Sequence, residues 1–185
     1  FIGDFQGNIV ARDYIGHAQR VSVGNYLPER EGFEIAVSNF WGHQGVIYFY
    51  DDHGNELWER ENEMNGNILA PVNWLGNGTD FFLTNADPKR GGLMDGHGDI
   101  AVSFPDDGHP VMCCEAIDLC GDDRDELVVW DYRFLYIYTQ DDGERETDYH
   151  PVKYAFYNAS NYRGEYSFPD QSYITFCEDP MEESK

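Results

Sequence analysis

Hydrophobic residues along this chain occur in short runs that end at turns rich in Asp and Gly. The runs VIYFY, IAVSF and FLYIYT, which begin at positions 46, 100 and 134, are rich in β-branched and aromatic residues, a composition typical of strands. No segment combines apolar residues at helical spacing with capping signals, and Gly and Pro interrupt the chain often. The pattern therefore predicts an all-β protein built from short strands.

The strand pattern recurs along the chain. An acidic residue opens an apolar run at 46-residue intervals, and a second polar residue follows each acid five positions later: Glu34 and Asn39, Asp80 and Asn85, Glu126 and Asp131. Turns rich in Asp and Gly accompany the runs, in YFYDDHG at 48–54, SFPDDG at 103–108 and YTQDDG at 138–143. The spacing predicts an internal repeat of about 46 residues.

The length of the repeat indicates a fold. About 46 residues in several short strands matches one blade of a β-propeller, whereas a β-solenoid has a shorter repeat. We therefore predict four-stranded propeller blades at about 17–62, 63–108 and 109–170, followed by an acidic tail at 171–185. Propellers close with about four to eight blades. The chain is thus expected to be an incomplete ring of about three to four blades, with the remaining blades upstream.

Charge narrows the range of partners. The chain has 185 residues, 12 basic and 35 acidic, with a formal net charge of −23. Such a charge excludes nucleic acid and anionic membrane surfaces as expected partners and favours cation binding. No apolar run is long enough to predict a transmembrane helix. The four cysteines lack CxxC spacing and are interpreted as small buried hydrophobic residues.

The segment DLCGDDRDE, at 118–126, concentrates negative charge on a turning backbone. Ca²⁺ takes oxygen ligands from carboxylates spaced in this way, with a Gly that permits the bend. The predicted ligands are Asp118, Asp122, Asp123, Asp125 and Glu126. Asn25 and Glu34 are the predicted ligands in the corresponding loop of the first repeat. The alternative is a solvated hairpin with an acidic edge.

Several segments, read in order, resemble one family. GHAQRVSVGNYLPEREGFEIAV at 16–37, NWLGNGTDFFL at 73–83, EAIDLCGDDRDELVVW at 115–130 and YNASNYRGEYSFPD at 157–170 are similar to the C-terminal blades of propeller-type rhamnogalacturonan lyases of polysaccharide lyase family 11. The resemblance implies a calcium-rich eight-bladed propeller that cleaves pectic rhamnogalacturonan by β-elimination in a central cleft. Residues 107–110, DGHP, stand where the family has Asn-Gly-Thr-Lys, which favours a related uronate-containing glycan as an alternative substrate.

The chemistry implied by the resemblance selects candidate catalytic residues. β-Elimination from a uronate needs a base for the C5 proton and a cation for the charge that develops on the carboxylate. His17 and Arg20, in GHAQR, are suited to these two roles. His109 is a third candidate, since it falls on the family's substrate-binding segment. The alternatives are a His that packs between blades, a surface Arg and an exposed turn His.

The candidate substrate-binding residues are aromatic, cationic or placed in tight turns. Trp41 could stack on a sugar ring, and His97 lies between two glycines of a turn. The others are Lys89 and Arg90, in DPKRGG, and Tyr162 and Arg163, which match the Tyr-Arg before the family's last strand. The alternatives are core packing for Trp41 and simple solvent exposure for His97. For the Lys–Arg pair the alternative is charge balance, and for the Tyr–Arg pair it is packing on the acidic loop.

These observations lead to one function and two alternatives. We expect part of a calcium-dependent carbon–oxygen lyase that acts on rhamnogalacturonan or a related acidic polysaccharide. A non-catalytic calcium-stabilised propeller that binds glycan or protein is one alternative, and a glycosidase on the same fold is the other. The resemblance to pectin-degrading enzymes favours an extracellular location.

Overall fold

The computed structural model describes residues 1–4, 6–39, 45–61, 69–111, 113–122 and 124–140. These residues form no helix, and their strands are all paired in antiparallel fashion. The strands are β1 Ile2–Gly3, β2 Ile9–Ala11, β3 Ala18–Gly24, β4 Glu34–Asn39, β5 Val46–Tyr50, β6 Glu56–Glu61, β7 Ala70–Val72, β8 Phe81–Leu83, β9 Leu93–Met94, β10 Ile100–Val102, β11 Cys113–Ile117, β12 Glu126–Trp130 and β13 Leu135–Tyr138. The described residues therefore contain no helix that is long and apolar enough to cross a membrane. The all-β prediction is confirmed.

The strands form separate open sheets in which neighbours along the chain pair with each other. The first sheet has the order β3-β4-β5-β6, the second β7-β8-β9-β10 and the third β11-β12-β13, while β1 and β2 form a two-stranded sheet. None of these sheets closes on itself into a barrel. Each of the larger sheets lies within one of the predicted repeats.

Strand register shows which residues of the repeats are equivalent. The last residue of the first strand faces the first residue of the second strand in all three sheets, in the pairs Gly24–Glu34, Val72–Phe81 and Ile117–Glu126. Glu34 and Glu126 are therefore equivalent, as the repeat predicts. Phe81, rather than Asp80, occupies that position in the second sheet, so the 46-residue spacing misplaces the second unit by one residue.

The same five-residue turn joins β1 to β2, β5 to β6 and β9 to β10. In each turn the Oδ1 atom of the leading Asp (Asp4, Asp51 or Asp95) accepts hydrogen bonds from the backbone N–H groups two and four residues later. A Gly with positive φ, which other residues adopt only with strain, holds the fourth position. The turn at 95–99, and not the predicted SFPDDG segment, is therefore the counterpart of YDDHG, since SFPDDG follows β10.

The second sheet lies between the other two and contributes side chains to both interfaces. Phe82 belongs to an apolar cluster with residues of the first sheet such as Phe49, whereas Phe81 and Leu83 belong to a cluster with residues of the third sheet such as Leu127. This division follows from the alternation of side chains along a strand. The first strands are also neighbours, because β7 contacts both β3 and β11. The three sheets therefore form a face-to-face stack with a common orientation.

Candidate functional site at the two rims of the sheets

The common orientation of the sheets gives the stack two rims. One end of the stack, which we call the acidic rim, carries the loops that follow the first and third strands of the sheets. These loops are residues 25–33, 51–55, 73–80, 95–99 and 118–125. The opposite end, which we call the mixed rim, carries the start of β3 and the loops 84–92, 103–111 and 131–134. Hydrogen bonds between loops of successive sheets, such as Asn25 Nδ2 to the Gly78 carbonyl, show that equivalent loops lie side by side.

The two rims differ in charge. The acidic rim carries the carboxylates of Glu29, Glu31, Glu34, Asp51, Asp52, Asp80, Asp95, Asp99, Asp118, Asp122, Asp125 and Glu126. Three described Arg residues pair with carboxylates of this rim: Arg30 with Asp51 at 3.3 Å, Arg124 with Asp122 at 3.2 Å, and Arg60 of β6 with Asp99 at 3.4 Å. The mixed rim is closer to neutral, with three cations (Lys89, Arg90 and Arg133) against four carboxylates (Asp87, Asp106, Asp107 and Asp131). An anionic ligand is therefore repelled at the acidic rim and tolerated at the mixed rim.

The carboxylates of the predicted calcium loop are directed at different backbone groups. The Oε2 atom of Glu126, which is fully buried, accepts hydrogen bonds from Leu119 N at 2.7 Å and Cys120 N at 3.1 Å. Asp118 Oδ1 accepts one from Gly121 N at 2.6 Å. Asp122 Oδ1 accepts one from Arg124 N at 3.1 Å, and its Oδ2 faces the Arg124 guanidinium.

These contacts decide how well the loop suits a metal ion. Among the described residues, which exclude Asp123, no group of three or more His, Cys, Asp or Glu side chains is arranged to hold a metal. The negative charge is instead offset by hydrogen bonds from backbone N–H groups and by one guanidinium. The described part of the loop thus does not fit a calcium centre, and we assign no chemical step to calcium.

Glu34 has the same role in the first sheet as Glu126 in the third. Its Oε2 atom accepts hydrogen bonds from Tyr26 N at 3.0 Å and Leu27 N at 2.9 Å. Burial raises the pKa of the Glu34 carboxyl, and the two backbone hydrogen bonds offset part of that rise. Both glutamates therefore fix the loop that precedes their own strand.

A second repeated contact joins successive sheets at the acidic rim. Asn25 N donates to Asp80 Oδ2 at 2.8 Å, and Asp80 N donates to the Asn25 carbonyl at 2.9 Å. Asn73 and Asp125 repeat this exchange between the second and third sheets, at 2.8 and 3.0 Å. We call each reciprocal pair an Asn–Asp clasp. Asn25 and Asp125, predicted as calcium ligands, are thus parts of the two clasps.

His109 is held in the mixed rim by both of its ring nitrogens. Nδ1 lies 2.7 Å from Asp107 Oδ1, Nε2 lies 2.6 Å from the Ala86 carbonyl, and the side chain is 1% exposed. The imidazole packs between the rings of Phe104 and Tyr138. The hydrogen bond from His109 is the largest cause of the lowered pKa of Asp107. This environment suits a His that joins the second sheet to the third better than one that meets a substrate.

The other candidate residues divide between the rims. His17 is exposed immediately before β3, and Arg20 is half-buried within that strand. Lys89 and Arg90 are exposed on the loop after β8, where Asp87 Oδ1 accepts both backbone N–H groups at 2.9 Å. His97 is exposed at the acidic rim, 3.5 Å from Glu29. Among the candidates that the structure describes, His97 and the predicted calcium ligands are thus separated from the others.

Four predicted site residues lie outside the part of the chain that the structure describes. They are Asp123 in the acidic loop, Trp41 after β4, and the pair Tyr162 and Arg163. Their predicted roles stay predictions.

Two mixed-rim residues were not among the sequence candidates. Tyr132 is 86% exposed on the loop between β12 and β13, and Arg133 Cζ lies 5.0 Å from the centre of the Tyr132 ring. Asp131 Oδ1 accepts the N–H groups of Arg133 and Phe134, both at 2.7 Å. Asp131 marks the repeat in the sequence, but nothing in the segment DYRF distinguishes these side chains from ordinary turn residues.

Comparisons with known proteins add no identification. No family model, no curated protein and no solved structure matches this chain. Function therefore has to be inferred from the residues and from where the fold places them.

Proposed function

We propose that this chain is part of a polysaccharide lyase that binds a uronate-containing glycan, rhamnogalacturonan first, at the mixed rim. The observation that carries the proposal is the separation of charge between the rims. An anionic sugar chain is disfavoured beside the acidic rim, whereas Lys89 and Arg90 are exposed on the mixed rim, with His17 and Arg20 at the start of β3. The order of the motifs that resemble family 11 lyases supports the same conclusion.

We also propose that the stacked sheets are blades of a β-propeller. The described residues form two four-stranded antiparallel meanders and one of three strands, packed face to face with their first strands as neighbours, and propeller blades are arranged in this way. A cavity of about 350 Å³ lies between the first sheet, which contributes Val21 and Val37, and the N-terminal segment with β1 and β2, which contributes Ile2 and Ala11. The β1–β2 pair thus covers part of the face of the first sheet that points away from the second sheet.

The proposed reaction is a β-elimination. His17 takes the C5 proton of the uronate, the electron pair of that bond forms the C4–C5 double bond, and the glycosidic oxygen leaves from C4 and is protonated. Charge that develops on the uronate carboxylate is stabilised by cationic side chains, for which Arg20, Lys89 and Arg90 are the candidates. Because His109 uses both ring nitrogens inside the protein, we assign it a structural role.

A non-catalytic glycan-binding propeller is the second candidate. The observation that favours it is the burial of His109, which leaves His17 as the predicted base at this rim among the described residues. The same rim and the same cations would then bind the glycan without cleaving it.

Absorbance separates the two candidates. A lyase incubated with rhamnogalacturonan or polygalacturonate produces an unsaturated uronate, which absorbs at about 235 nm. We expect this absorbance to rise with the wild-type protein, to be lost in His17→Gln and to be kept in His97→Gln, a matched exposed His on the opposite rim. Release of reducing ends at flat absorbance would indicate a hydrolase and contradict the proposal. Glycan binding with neither signal would favour the non-catalytic alternative.

A further inference from the structure

We propose that Tyr132 and Arg133 form a subsite for one uronate residue of the glycan. This inference rests on the proposed glycan ligand and extends it to residues outside the predicted catalytic set. The subsite lies on the mixed rim, on the loop that joins the second and third strands of the third sheet. Lys89 and Arg90 occupy the equivalent loop of the second sheet.

The loop holds the two side chains in an exposed position. Asp131 uses its Oδ1 atom to accept the N–H groups of Arg133 and Phe134 at 2.7 Å, which fixes the turn at 131–134. Tyr132 is 86% exposed, although an aromatic side chain gains free energy when it is removed from water. A fixed turn that displays an aromatic ring is better suited to contact a ligand than to stabilise the fold.

The contact between the two side chains suits a sugar that carries a carboxylate. Arg133 Cζ lies 5.0 Å from the centre of the Tyr132 ring, within the range of a cation–π interaction. Among the described residues, no other side chain forms a hydrogen bond or an ion pair with the guanidinium, so this part of the chain leaves its N–H groups unoccupied. The other face of the ring can stack on the apolar face of a sugar, while a guanidinium donates two parallel hydrogen bonds to a carboxylate.

The charge around the pair also agrees with an anionic ligand. The nearest acid along the loop is Asp131, and one of its oxygens is occupied by two backbone N–H groups. Asp107, at the same rim, is bound to His109 and to the hydroxyl of Tyr138. Since these acids are engaged within the protein, they compete less with a sugar carboxylate for Arg133.

The test is the affinity of the whole protein for oligogalacturonate and for its methyl ester, measured by isothermal titration calorimetry. Tyr132→Ala should weaken binding of both ligands by roughly tenfold, the loss expected for one stacked ring. Tyr132→Phe, the matched control, should bind within about twofold of wild type, because it keeps the aromatic face. Arg133→Gln should weaken binding of the free acid by roughly tenfold and leave the ester nearly unchanged.

Each outcome decides the proposal. Wild-type affinity in Tyr132→Ala, equal losses for both ligands in Arg133→Gln, or no binding of either ligand by the wild-type protein would overturn it. Because Tyr132 is exposed, the alanine variant should melt at the wild-type temperature, which separates loss of a subsite from loss of folding. If the variants lose affinity but the wild-type protein gives no absorbance at about 235 nm, the subsite holds and the lyase proposal fails. If cleavage occurs and the variants bind normally, the subsite alone fails.

Discussion

Removal of one side of an Asn–Asp clasp should destabilise the contact between two sheets. Asp125→Ala deletes the acceptor of the 2.8 Å hydrogen bond from Asn73 N, while the reverse bond from Asp125 N to the Asn73 carbonyl is a backbone contact and remains. Asn73 is fully buried, so its N–H group would lose its carboxylate partner away from solvent. The substitution therefore removes one hydrogen-bond acceptor at a known position between the second and third sheets.

The size of the effect follows from the nature of that bond. A buried donor left without its acceptor costs about 1–3 kcal/mol, and the partial burial of Asp125 places the expected loss near 2 kcal/mol. For a protein of this length, about 1 kcal/mol lowers the melting temperature by roughly 2–4 °C, so we expect a decrease of roughly 4–8 °C. Asp125→Asn keeps an acceptor oxygen without the charge and should lose about half as much, near 1 kcal/mol.

Urea unfolding followed by tryptophan fluorescence measures this loss, since Trp74 adjoins Asn73 in sequence. Asp80→Ala, in the equivalent clasp, should lose at least as much as Asp125→Ala, because Asp80 is fully buried. A change below about 0.5 kcal/mol in both alanine variants would show that the clasps do not hold the sheets together. Equal losses in Asp125→Ala and Asp125→Asn would refute the role given to the charge.

Two further predictions concern protonation and metal ions. Burial raises the pKa of Glu34 in the folded state above its ordinary value of 4.5, so its stabilising contribution is fully present below that value and is lost as pH rises through the raised pKa. The free energy of unfolding of wild type minus that of Glu34→Gln should therefore fall as the pH rises above 4.5 in urea titrations, and a rise would mean that the backbone hydrogen bonds dominate. Ca²⁺ added after treatment with a chelator should produce no saturable rise in melting temperature, because the described carboxylates of the acidic loop face separate partners. A rise that disappears in Asp118→Asn would support the calcium centre predicted from the sequence.

The strands could be predicted from the sequence, and parts of the repeat with them. Alternating β-branched and aromatic residues located β5 and β13, and the recurring acids correctly paired Glu34 with Glu126. The position of Asp80 could not be predicted, because spacing along the chain does not reveal how many residues the loop before each second strand contains. Asp80 instead corresponds to Asp125, as the two clasps show.

The candidate site was less predictable because its chemistry depends on contacts distant in sequence. His109 seemed available in a Gly-Pro turn, yet its Nε2 atom meets the carbonyl of Ala86, 23 residues away. The acids of the 118–126 loop have the same spacing whether they bind an ion or backbone N–H groups, since both uses require a turning backbone with a Gly. Only the fold shows that His17 and the predicted calcium ligands lie at opposite rims.

The central claim is that an anionic sugar chain binds at the mixed rim, and charge removal at each rim tests it most directly. The measurement is the affinity for polygalacturonate of Lys89→Gln/Arg90→Gln, compared with Glu29→Gln/Glu31→Gln on exposed sites of the acidic rim. Our account predicts that the first pair weakens binding by roughly tenfold or more, with a reduced dependence on salt, while the second pair leaves it unchanged or slightly tighter. Unchanged affinity in Lys89→Gln/Arg90→Gln, with a large change from the acidic rim, would contradict the account.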